Sequence, residues 1–184
     1  MNYPELLYGK GIYVKENKTK KVNVCKEHEK NPIESSLTCV GICQPSLYMK
    51  SNEETIEKCL FELEESFVFD YELWIKLAFQ HIQFKYIDIN LSKYNFTNIN
   101  ITGNNRIEQL YQTCCIIKKY YGFTPLTWIH KYASCKVNKT DGIWNNSKNV
   151  LKLEDFVKEF NSDAIISHHI NNDVIQSEFN KVKV

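Results

Sequence analysis

Phe69-Asp70-Tyr71-Glu72-Leu73-Trp74-Ile75-Lys76-Leu77-Ala78, followed after a short polar break by Phe84-Lys85-Tyr86-Ile87-Asp88-Ile89, decides the fold class. In the first segment Tyr71, Trp74, Leu77 or Ala78, and His81 recur at helical spacing, which predicts a helix from near Asp70 to about His81. The second segment is an apolar run of strand length and predicts a buried strand. A helix feeding a strand makes the chain α/β, built from mixed short strands and amphipathic helices.

Upstream, Leu6 to Val14 reads as a strand interrupted by Gly9 and Gly11. Lys20 to Cys25 reads as its antiparallel partner, with Glu16-Asn17-Lys18 turning between them. A linker through Asn31-Pro32 leads to Thr38 to Lys50, where Gly41 and Pro45 break an apolar run and predict an exposed loop delivering Ser46 to Met49 into a strand. Ser51 and Glu54 form a capping-box pattern, so a short helix bearing Ile56, Leu60 and Leu63 is expected next. Downstream, the longest helix is predicted from about Asn105 to Tyr121, with Ile107, Leu110, Tyr111, Cys114, Ile117 and Tyr121 as its apolar stripe and Gly122 and Pro125 ending it. After Asp141-Gly142 the pattern weakens to one helix at Leu153 to Phe160 and one strand at Ala164 to His169.

The 184 residues are 43% hydrophobic and 13% aromatic, enough for a real core. With 23 basic against 22 acidic residues the net charge is only +1, so no overall field exists to hold a nucleic acid or an anionic membrane. Nucleic-acid partners are therefore not expected. No apolar run approaches the ~20 residues that span a bilayer, and the start of the chain lacks a basic region leading into an apolar one, so a cytoplasmic location is expected by default. The seven cysteines are odd in number and none are spaced as in zinc ribbons, which predicts mostly reduced, buried thiols. A metal site from Cys25, His28, Cys39 and Cys43 is the less favoured reading, and His168-His169 lacks carboxylate or thiol companions at ligand spacing.

Two segments stand out together, Gly41-Ile-Cys-Gln-Pro-Ser46 and Phe69-Asp-Tyr-Glu-Leu-Trp-Ile-Lys-Leu-Ala78. In this order they resemble the acceptor-binding half of family 2 glycosyltransferases, where a Cys-Gln-Pro loop entering a strand precedes an Asp-Tyr-(Glu or Asp)-Leu-Trp helix start. The resemblance extends over roughly residues 6 to 133. Leu7-Tyr-Gly9 with Ile12-Tyr-Val14 looks like the family's Tyr-Gly-Asp hairpin, and Gly122-Phe-Thr-Pro-Leu-Thr-Trp128 looks like a segment found near the end of many members. It implies part of a GT-A domain, the fold of nucleotide-diphospho-sugar transferases, in residues 1–135, with residues 136–184 as a weakly patterned extension.

A carboxylate at a helix start is fixed in direction by the helix dipole and by bulky neighbours, and ionised near neutral pH it can accept a proton. The resemblance implies that Asp70 is the general base that deprotonates an acceptor hydroxyl during inverting transfer. Read without it, Asp70 is a helix cap. The resemblance also places Glu72 beside the acceptor hydroxyls and Tyr94 in the acceptor site. Gln44 and Ser46 have an amide and a hydroxyl suited to a sugar, or to satisfying their own turn, with Pro45 stiffening the loop. Trp74 reads as packing.

Three departures limit the analogy. Family members hold the donor through an Asp-x-Asp motif and a divalent metal, Mg or Mn. No two aspartates here, at positions 70, 88, 141, 155, 163 and 173, have that spacing. The family's Tyr-Arg-x-His stretch is Tyr94-Asn-Phe-Thr97, and threonine is a poor substitute for imidazole as a ligand. Lys10 stands where an aspartate often follows the Tyr-Gly pair. The expected function is thus glycosyltransferase-related, with a saccharide acceptor, a divalent metal only if a donor half is supplied, and little activity alone. The expected partner is that donor half or a second copy of the chain, because an uncovered face would expose apolar surface. The alternative is a carbohydrate-binding or protein-interaction module without turnover.

Overall fold

Leu6–Lys15 form β1, the strand around which the first half of the chain is organised. A computed structural model describes residues 5–16, 18–22, 24, 26–38, 41–50, 67–95, 105–139 and 153–161. Along one edge β1 pairs in parallel with β4 (Phe84–Asn95) from Leu6↔Phe84 to Val14↔Asn95. Its other edge is shared end to end by two antiparallel strands. β3 (Leu47–Met49) pairs with Leu6 to Tyr8, and β2 (Lys18–Lys21) pairs with Ile12 to Lys15. The sheet is therefore mixed.

The hairpin partner is shorter and earlier than the pattern suggested. Lys15↔Lys18 closes a two-residue loop in which Glu16 takes φ 53°, the left-handed conformation such tight hairpin loops use. Asn31-Pro32 is likewise not a linker. Pro32–Thr38 form α1, with proline tolerated in the first turn and Asn31 capping it. The Asn31 side chain accepts from Glu34 N–H at 3.3 Å and donates to the Glu34 carboxylate at 2.6 Å.

α2 (Phe69–Phe79) buries Tyr71, Trp74, Leu77 and Ala78 of the expected apolar face, and Glu72 and Ile75 besides. It stops before His81, which takes φ 58° and is exposed. The N–H of His81 bonds to Ala78 O and that of Ile82 to Leu77 O, a Schellman closure that turns the chain directly into β4. β4 outruns the expected Phe84–Ile89 and carries Tyr94 within it. Leu6, Tyr8 and Phe84 are buried on one face of the sheet, where His28 stacks against Phe84 at 6.1 Å and meets Tyr8 edge-on.

The chain separates into two compact units, residues 1–104 and 105–184. The second holds α3 (Arg106–Tyr121), α4 (Leu126–Asn138) and α5 (Leu153–Phe160). The boundary drawn by resemblance after residue 135 falls inside α4. α3 ends at Gly122, whose φ of 80° suits glycine, and Pro125 then opens α4, its carbonyl accepting from Trp128 and Ile129 N–H. The buried face of α3 is rotated from the expected stripe: Leu110, Cys114 and Ile117 are buried with Thr113 and Ile116, whereas Ile107 and Tyr111 are 39% and 37% exposed. Tyr111 packs instead beside Tyr132 and Phe160, ring centroids 5.8 and 5.6 Å away. Asn161 ties α5 down by accepting from Thr124 N–H at 2.8 Å and donating to Thr124 O at 2.9 Å.

Among the described residues no helix is long and apolar enough to cross a membrane. The helix expected after Ser51 and the strand expected at Ala164 to His169 lie outside the described residues.

Candidate functional site

The Cys-Gln-Pro-Ser segment folds as a single 3-10 turn, Gln44–Ser46, running straight into β3. Its backbone closes on itself, Ser46 N–H bonding to Cys43 O at 2.7 Å and Leu47 N–H to Gln44 O. Gln44 and Pro45 are left exposed while Cys43 and Ser46 are 3% and 0% exposed. The Ser46 hydroxyl donates to Lys10 O at 2.9 Å and bonds to Ser92 of β4, and Cys43 Sγ lies 3.7 Å from Ser92 Oγ. Ser46 therefore supports the turn from beneath. The amide of Gln44, not that hydroxyl, is what the turn presents.

The turn comes this close because β1 carries no side chain at Gly11 to keep it away. A Cβ on Gly11 would strike Cys43 Sγ, with Ser92 Oγ 3.2 Å off, and one on Gly9 would lie 2.7 Å from Leu91 and 2.9 Å from Ile89 O. Across the same stretch β4 bulges: Gly9 pairs with Ile87, Lys10 with Asn90 and Gly11 with Ser92, so Asp88, Ile89 and Leu91 pass without partners on β1.

Strand alternation extends this face. Tyr13 follows Gly11 by two residues and Tyr94 follows Ser92 by two, so both tyrosines stand on the side that carries the turn. Their rings meet edge to face at 5.8 Å, and both are half-buried. Directly across β2 from Tyr13 lies exposed Lys20. Of the residues singled out in the sequence, Gln44, Ser46 and Tyr94 thus share one sheet face. Tyr13, Ser92 and Lys20 join them unannounced, since the pairing of β1 with β4 leaves no local mark in the sequence.

Asp70 and Glu72 sit on α2, which packs against α1 through the Tyr71 hydroxyl donating to Ser36 O. Asp70 is not the cap: Val68 holds that position, and Asp70 lies inside the first turn, its Oδ1 accepting from Tyr71 N–H at 2.8 Å. Burial pushes its pKa up, and the backbone hydrogen bonds oppose without reversing this. The result is a carboxylate with raised proton affinity. Glu72 is 1% exposed, with Lys76 Nζ 3.6 Å from its carboxylate, so it belongs to the core of the unit and not to an open surface. Trp74, read as packing, is 3% exposed.

Lys10 ion-pairs with Asp88, which also accepts from the Tyr86 hydroxyl at 2.6 Å. Lys10 first and Tyr86 second hold Asp88 down at about 2, while burial and the Asp88 contact push Tyr86 up to about 12. Cys43, Cys114 and Cys135 are buried thiols and Cys115 is an exposed one. His28 is buried with Ser35 Oγ 2.9 Å from Nδ1, and among the described residues no group of three His, Cys, Asp or Glu is placed to hold a metal. No protein-family profile, no curated protein and no solved structure matches this chain.

Proposed function

We propose that the first unit is the acceptor side of an inverting, GT-A-type glycosyltransferase of family 2, working with a donor-binding half outside these residues. The observation that carries this reading is the shared sheet face, where the exposed Gln44 turn and the Tyr13/Tyr94 pair form a polar edge beside an aromatic surface. Sugars bind well to that combination, because a pyranose offers an apolar C–H face and a rim of hydroxyls. In this reading Asp70 takes the proton of the acceptor hydroxyl while that oxygen bonds to the anomeric carbon. The bond to the nucleoside diphosphate breaks on the opposite face, and the diphosphate leaves with the electron pair. Its raised proton affinity suits Asp70 to that task, although α2 joins the sheet through α1 and His28 on the face of Tyr8 and Phe84, not on the face of the Gln44 turn. The divalent cation that would steady the diphosphate has no ligand set among the described residues, so no step through it is assigned to this unit.

A second reading, saccharide or protein binding without turnover, is favoured by Lys10, which stands in place of the family's aspartate and neutralises Asp88. Saturation-transfer NMR on the full chain separates the outcomes. Transfer to free glycans with none to nucleotide sugars in the presence of manganese is expected. Transfer to nucleotide sugars alone, or to neither panel, overturns the acceptor-side assignment.

A further inference from the structure

We propose that the exposed face of α3 is a self-association surface, on which a second copy of the chain lies antiparallel, α3 against α3. The inference does not rest on the sugar-site reading and stands or falls without it. Glu108, Tyr111, Cys115 and Lys118 turn outward along α3, spaced by three, four and three residues so that they share one side of the helix. A helix face turned to water is ordinarily polar throughout. Here the ends are charged and the middle is not: Tyr111 is 37% exposed, Ile107 one turn before it is 39% exposed, and Cys115 is an exposed thiol. Tyr111 and Cys115 hydrogen-bond to one another across one turn. Partial burial pushes the Cys115 pKa up, so the thiol is uncharged at neutral pH.

The order of these residues selects the occupant. Glu108 precedes Tyr111 by as many residues as Lys118 follows Cys115. When a second α3 is laid antiparallel with Tyr111 level with the partner's Cys115, Glu108 falls level with the partner's Lys118, and the two-fold axis repeats both matches. The stripe is thus its own complement, as an isologous interface requires. Parallel copies would set acid beside acid and lysine beside lysine. Gln112 donates to the Glu108 carboxylate at 3.0 Å, which steadies that charge without neutralising it. The helix dipole accounts for an acid near the start of α3 and a base near its end. It does not account for exposed apolar side chains midway between them. One helix pair covers less than the ~1,200 Å² of stable interfaces, so the dimer is weak and salt-sensitive.

Sedimentation equilibrium of the full chain at low salt should show a monomer–dimer equilibrium that moves toward monomer as salt is raised. Glu108→Lys and Lys118→Glu should each weaken it about tenfold or more, because symmetry turns two attractive pairs repulsive at once. The double variant restores both pairs with their signs exchanged and should return to within about threefold of the parent. Both positions are exposed, and circular dichroism checks that helix content is kept. Cys115→Arg, which leaves the helix ends untouched, sets two cations in the middle of the interface and should abolish the dimer. In the parent a short bismaleimide should link two chains through Cys115, and Cys115→Ser should remove that product. A monomer at every concentration overturns the proposal and leaves the stripe to a different protein. A dimer that neither the single reversals nor Cys115→Arg weaken overturns the assignment of this face. A double variant no better than the single ones, or a dimer in which Cys115 is not linked, overturns the antiparallel register.

Discussion

At position 70 a carboxylate lies in the first turn of α2 with the Tyr71 N–H on Oδ1 at 2.8 Å, yet burial still raises its pKa. The folded chain therefore holds this proton more tightly than the unfolded chain, whose aspartate titrates near ~3.9. Linkage follows from that sign. Stability from this group is greatest below the unfolded value, declines as pH rises through the interval up to the raised native value, and stays reduced above it. Asparagine keeps an oxygen for Tyr71 N–H and carries no charge to desolvate. Asp70→Asn is therefore expected to unfold at higher urea than the parent at pH 7, with the difference closing as pH is taken below the carboxylate range. If Asp70 is also the base, sugar transfer in the presence of a donor-binding partner should fall by about 10²–10⁴ in the same variant. A variant that is less stable at neutral pH would show that the helix dipole, not burial, dominates at this residue.

Among the elements, the contact between the Gln44 turn and β1 is the one the site depends on. Gly11→Ala adds a methyl where Cys43 Sγ already sits, with Cys43 Cβ 3.3 Å away and the thiol itself buried. Overpacking of this kind costs about 1–3 kcal/mol and should lift the turn off β4, lowering stability and, on the proposed function, glycan binding with it. Cys43→Ala in the same chain should restore most of the loss, because it removes the clashing atom, and urea unfolding of the double-mutant cycle measures that coupling. A double variant no more stable than Gly11→Ala alone would place the strain elsewhere. Such contacts are where reading the sequence ran out. The apolar periodicity of α2 and the Leu153–Phe160 helix is local and was legible, as was the turn at Pro45 leading into β3. α1 was hidden because Asn31-Pro32 signals a break, although Asn31 caps the helix by accepting from Glu34 N–H. α4 was hidden because Pro125 ends one helical pattern while its carbonyl begins the next.

For the molecule as a whole, the helical pattern from Phe69 and the apolar strand run at Phe84 already spoke to the α/β class, but the position of β1 between β4 on one edge and β2 and β3 on the other needed the coordinates. Parallel pairing joins segments remote in sequence and leaves only glycines as a trace. The site followed suit: Gln44 and Tyr94 were chosen by resemblance, and their neighbours Tyr13 and Lys20 emerged only once strand register was known. Charge, by contrast, is a property of the whole chain that the sequence states outright. A net charge of +1 and a pI near 7.6 leave little repulsion between copies at neutral pH. Large apolar side chains are exposed at the same time, with Tyr48 at 54%, Phe69 at 44%, Ile89 at 59% and Val137 at 51%. Attraction between molecules should therefore peak near pH 7.6 at low salt. It should ease slowly on the acid side, because burial lowers the pKa of His130 and delays the charge it would add. Static light scattering across pH 5 to 9 is the measurement. A second virial coefficient lowest near the pI and rising away from it on both sides, gradually toward acid, is the expected result; a minimum displaced well away from the pI would mean that local fields, such as the lysines of the hairpin, govern association more than net charge does.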